Sequence, residues 1–243
     1  MSTHATAAKQ WTEAELDALN VENNIRMRGL EITRLDTFID AAFAFVLTLL
    51  VISFDRLPSN QAEMLAALKQ IPAFAASFAI LMTFWLQHRR WTRRYGLENT
   101  VTVTLSLLLI FVVLVYVYPL RVIFEALFSD LSGQFFPTTF QIQTYDDLRL
   151  IFLLSSIGFL AMELIVSQLY WAAYRSRDAL MLCVEEIRRT RLDMHGWLVV
   201  TGFSAIAIIL ALFLPDRLVS LAGYVYVLLY PIARIPAYID RRR

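Results

Sequence analysis

The sequence has a single cysteine, Cys183, in 243 residues. An intrachain disulfide is therefore excluded. Its seven glycines are scattered and form no phosphate-binding loop. The three histidines, His4, His88 and His195, lie far apart, and no Cys/His grouping has metal-ligand spacing. Neither G-x-S-x-G nor H-E-x-x-H occurs. A hydrolytic or redox site needs a constellation of such groups. None is present, so the chain does not read as an enzyme, and neither a metal nor a cofactor is expected. Charge is scarce too: 18% of residues are Asp, Glu, Lys or Arg, where soluble domains carry about 25%. The net charge is +1, and no nucleic-acid partner is expected.

What the chain has instead is apolar surface. Hydrophobic residues make up 58% of it, against about 45–50% in soluble domains. The excess is clustered into six runs, at 37–54, 71–87, 101–120, 150–171, 197–214 and 218–237. Each is close to the length of about 20 residues that a helix needs to cross a bilayer. A soluble bundle should show a polar face on each helix, and these runs mostly do not. The expectation is an all-α polytopic membrane protein with six spans. No inverted repeat is visible, and Pro119 and Pro231 lie near span ends, where they are easily tolerated.

The basic residues divide unevenly between the loops. Seventeen of the 22 fall in the N-terminal segment, between spans two and three, between spans four and five, and at the C-terminus. Positive charge is retained on the cytoplasmic side, so both termini should be cytoplasmic. An even number of spans requires both termini on one side, and the two readings agree. The polar first 30 residues argue against a cleavable secretory signal. The opposite loops are short or mildly acidic; Glu125, Asp130, Asp146 and Asp147 read as an ordinary solvated loop.

Residues 1–33 read as a cytoplasmic segment before the membrane domain, which runs over 34–240. "TEAE" at 12–15 fits a capping box of Thr12 with Glu15. Leu16, Leu19, Ile25 and Leu30 follow at roughly helical spacing, which predicts a short amphipathic helix.

The first span, "RLDTFIDAAFAFVLTLLVISF" from Arg34 to Phe54, carries the most information. A charge inside the membrane costs about 2.5–3.5 kcal/mol on insertion scales, so Asp40 needs a partner or water. On a helical wheel Phe38, Ala41, Phe45, Leu49 and Ile52 form one stripe, with Thr48 on its edge. Asp40 falls about 140° from Phe45. This predicts that Asp40 points back into the subunit while the stripe faces something else. By pattern alone the stripe reads as ordinary helix packing or lipid contact rather than as a pore lining. Glu163, in the middle of span four, reads as an intramembrane partner of an arginine or as a second polar site.

Two stretches carry a resemblance. "R-x-x-x-F-x-D" at Arg34, Phe38 and Asp40, followed by "TLLV" at 48–51, resembles span one of the transmembrane protein 175 family of endosomal/lysosomal potassium channels. "FWLQHRRW" at 84–91 is similar to that family's Trp-x-x-His ending of span two, through Trp85 and His88. Two positions depart from the family pattern: Ile39 stands where the family has Ser, and Phe45 where it has an aliphatic residue. The resemblance implies a prokaryotic six-span type, a homotetramer in the plasma membrane with span one lining a central pore. It places Phe45 at an apolar constriction, with Thr48, Leu49 and Ile52 as further layers. It gives Arg34, Phe38 and Asp40 the task of holding span one against its neighbours, with Trp85 and His88 among the partners. The implied function is passive potassium permeation. The alternatives are a proton-permeable pore, or a non-conducting scaffold of the same fold.

Overall fold

The computed structural model describes residues 11–52, 59–219 and 221–225. Among these the chain is mostly helical. A short helix α1 (Glu13–Asp17) and a two-stranded hairpin, β1 (Val21–Glu22) with β2 (Ile25–Arg26), precede the long helices. These are α2 (Arg34–Ile52), α4 (Ile71–Tyr95), α5 (Thr100–Leu131), α6 (Tyr145–Arg175) and α7 (Val184–Phe213), with a small helix α3 (Gln61–Lys69) ahead of α4. A 3₁₀ turn (Asp216–Leu218) and α8 (Leu221–Tyr224) begin the sixth apolar run; most of that run lies outside the described residues.

Four of these stretches are long and apolar enough to cross a membrane: α3 with α4 over Gln61–Tyr95, α5, α6 and α7. The helix α2 is as apolar in its second half but carries Arg34, Asp36 and Asp40 in its first two turns. Each long helix outruns its apolar stretch at one or both ends. The 32 residues of α5 measure about 48 Å at 1.5 Å per residue, longer than the hydrocarbon layer of about 30 Å.

Local signals set the starts. Thr33 and Asp36 bond reciprocally at the head of α2, with Thr33 Oγ1 donating to the Asp36 carboxylate at 2.9 Å and the Asp36 N–H donating to Thr33 Oγ1 at 3.1 Å. Asn99 with Thr102 and Thr144 with Asp147 box the starts of α5 and α6. Gly96 ends α4 in the left-handed region at φ 56°.

Helices α5, α6 and α7 pack along their lengths, and α4 closes the group. Their centre is filled by side chains such as Leu81, Trp91, Val113, Met162 and Tyr170. Among the described residues helix α2 packs chiefly on α5 and α4.

The N-terminal segment departs from the expected helix. The Thr12–Glu15 capping box is present, but the helix stops at Asp17. The chain then turns through Asn23 and Asn24, at φ 51° and 62°, between the paired strands. Asparagine tolerates that conformation better than most residues, and the flanking Val21 and Ile25 favour strands. Leu16, Ile25 and Met27 are buried against the bundle. Next, Arg28 and Gly29 give their N–H groups to the carbonyls of Arg94 and Arg93, at 3.4 and 3.0 Å, at the end of α4. A Cβ on Gly29 would stand 2.1 Å from the Thr92 carbonyl oxygen, so this crossing requires glycine.

Candidate functional site

Helix α2 divides lengthwise. Ile39, Phe43, Val46 and Leu50 are buried in the protomer core. That spacing of four, three and four residues is one face of a helix. The opposite face is uncovered: Phe38 is 55% and Phe45 56% exposed, and Arg34, Asp40, Ala41, Ala44, Thr48 and Val51 are exposed with them. Such a face on a membrane helix can meet lipid, another subunit or a pore, and the other long helices also expose apolar side chains, among them Phe111 and Ile209. Ala41 and Ala44 permit close approach of another helix.

The structure shifts the centre of this face relative to the wheel. Thr48, expected on the edge, stands in the middle of the open arc, and Leu49 turns partly into the packed side. Ile52 closes α2, and its side chain lies outside the described residues. The Thr48 hydroxyl donates to the Phe45 carbonyl at 2.6 Å. Its donor is thereby occupied within the helix, and its oxygen remains available as an acceptor.

Asp40 lies on the open side of α2 rather than within the protomer. It accepts a hydrogen bond from the Trp85 indole Nε1 at 2.7 Å. The Arg89 guanidinium sits over that indole, 5.3 Å from the ring centre, a cation–π distance. Asp40, Trp85 and Arg89 thus form a chain across α2 and α4. His88 turns the other way. It is buried, and its Nε2 lies 2.9 Å from the Ser106 hydroxyl on α5. The two residues of the span-two motif therefore serve different neighbours. Three positions apart, they share one side of α4 about 60° apart, with Trp85 toward α2 and His88 toward α5.

Around His88 the same end of the bundle carries further polar contacts. Trp91 Nε1 donates to the Leu169 carbonyl at 2.9 Å. Gln87 donates to the Tyr170 hydroxyl at 2.7 Å. Glu163 is buried in mid-bundle and accepts from Ser204 of α7 at 2.7 Å.

Sequence reasoning missed two buried ion pairs. Glu125, read as a solvated loop residue, is buried and bonded to Arg121 at 2.7 Å. The i,i+4 spacing was visible, but the apolar run ended at 120, and both residues were assigned to a loop that is in fact helix. Arg28 and Glu186 form the second pair, at 2.9 Å, with both side chains almost wholly buried. They are distant in sequence, and no local signal joins them.

The model of the family described as endosomal/lysosomal potassium channel TMEM175 matches residues 34–117. A protein named potassium channel from Marivirga tractuosa is 33% identical over 218 residues, covering 86% of this chain and 87% of its own. The crystal structure of a variant of the potassium channel MtTMEM175 superposes with a TM-score of 0.80 at 29% identity, over 93% of this chain and 100% of that one.

Proposed function

Because the chain belongs to the TMEM175 potassium-channel family, we propose that it is a passive, potassium-permeable channel whose pore is lined by α2. The observation that carries this reading is the open face of α2, apolar and uncovered on the helix where the family model begins. Four copies around a central axis cover that face and enclose a path. Six spans per protomer, counting the apolar run at 218–237 that lies mostly outside the described residues, put both termini in the cytoplasm of a bacterial plasma membrane. The permeant potassium ion is the only ligand required.

Phe45 and Thr48 form successive layers of the constriction, with Leu49 and Ile52 beyond them. Four phenyl rings present no full charge, so passage is controlled by wetting of the apolar ring. A ring face attracts a cation by only about 0.5–2 kcal/mol. The ion therefore keeps most of its water at Phe45. Arg34, Phe38 and Asp40 seat the cytoplasmic end of α2, Asp40 through Trp85. Two measurements test the reading together. Purified protein should run as a tetramer in detergent, and liposomes containing it should release potassium down its gradient. A tetramer that passes neither potassium nor protons would instead be a scaffold.

A further inference from the structure

The last turn of α2 meets a buried arginine–glutamate pair, and a second such pair ties down the chain six residues before α2 begins. At the outer end Arg121 of α5 donates from Nη1 to the Leu50 carbonyl at 3.3 Å and from Nη2 to Gln70 Oε1, at the α3–α4 joint, at 2.7 Å. Its Nε is held by Glu125 at 2.7 Å. Glu125 accepts in turn from the backbone N–H and hydroxyl of Thr139, at 3.0 and 2.6 Å. One buried guanidinium thus joins the last turn of α2, the start of α4, α5 and the loop beyond it. It also places positive charge at a helix C-terminus, where the dipole favours it.

At the other end Arg28, six positions before α2 begins, donates to both carboxylate oxygens of Glu186 at 2.9 Å and to the Leu180 carbonyl at 2.9 Å. Between these two points α2 buries one face in its own protomer, and Asp40 on the other side reaches Trp85. Packing yields in small steps, whereas losing the Leu50 carbonyl leaves a buried charged donor short of an acceptor, even though Arg121 and Glu125 stay paired on α5. Turning α2 enough to swing the Phe45 rings away from the axis also swings the Leu50 carbonyl away from Arg121.

We infer that Arg121 with Glu125 and Arg28 with Glu186 are positioning residues that pin the two ends of the pore helix in its constricted rotation, and that opening requires release of the Leu50 carbonyl by Arg121. The inference rests on α2 lining the pore. The test is single-channel recording of the full-length protein in planar bilayers. R121Q/E125Q removes the guanidinium and its counter-charge together, so no lone charge is left buried. It should raise open probability by about tenfold, the scale of one lost charge-assisted hydrogen bond, while unitary conductance stays unchanged. R28Q/E186Q should act in the same direction. R121K keeps the charge with a less extended donor set and should fall between wild type and R121Q/E125Q; it also serves if the double variant does not fold. Unchanged or lower open probability in a folded tetramer overturns the inference, as does a change in conductance alone. F45A separates the two levels. If it leaves flux unchanged, the pore assignment itself fails; if it raises flux while the arginine variants behave as wild type, only the pinning fails.

Discussion

At the scale of single residues, Phe45 and Leu49 make the sharpest contrast. Both stood on the stripe read from the sequence, yet Phe45 is open and Leu49 is partly packed against the core. F45A removes a ring from the constriction and should raise potassium flux and relax selectivity. L49A trims a side chain that is half committed to packing and should change flux less. Liposome flux on the two variants checks the order; equal effects would move the constriction outward. Asp40 gives a second contrast. D40A leaves the Trp85 N–H without its acceptor, a loss of about 1–3 kcal/mol where the group is desolvated. Lower tetramer yield is expected, with W85F partly reproducing it. Normal assembly of D40A with altered ion preference would mean that Asp40 faces the permeation path.

At the scale of elements, the apolar runs located the long helices and misjudged their ends. Hydropathy registers only the part of a helix that suits lipid, so α7 began at 184 and not at 197, where its apolar run starts. The helix α3 lay hidden in a supposed loop because its apolar part, Met64 to Leu68, is only five residues long and sits between Glu63 and Lys69, far short of a span. The hairpin was legible in principle, since Val-Glu-Asn-Asn-Ile-Arg carries a turn signal between two β-formers. The longer apolar periodicity of Leu16, Leu19, Ile25 and Leu30 masked it. What no local pattern could supply was the pairing of Arg28 with Glu186. That pair has a pH consequence, because Glu186 precedes the apolar part of α7. Burial pushes its carboxyl up, but Arg28 and the N–H groups of Cys183 and Arg26 outweigh this and hold it below the ordinary glutamate value. A carboxyl held low in the folded state adds stability above its unfolded value of 4.5 and loses it as pH falls further. Amide-exchange protection at Arg26 and Met27 should therefore fall below about pH 4.5, after correction for intrinsic rates. Core amides of α5 should hold longer. E186Q should abolish the difference, and protection that stays flat in the wild type would mean that other contacts dock the hairpin.

At the scale of the whole molecule, the uneven distribution of arginines and the course of the helices define two ends. The lone cysteine offers a direct probe of them, since Cys183 is exposed at the basic end. In intact cells the wild-type protein should resist an impermeant thiol reagent. Q141C in a C183S background, at an exposed site of the opposite loop, should label. The reverse result would invert the topology.

The open face of α2 also bears on how the cell handles unassembled copies. A protomer alone in the bilayer would leave Arg34, Asp40 and the Thr48 hydroxyl uncovered on the open face of α2. Polar groups so placed cost several kcal/mol until other copies cover them. If four copies cover that face as proposed, the cost disappears on assembly, and the same surface marks an orphan subunit. Membrane quality control that recognises polar residues within a span has a target in every incomplete oligomer and none in the finished one.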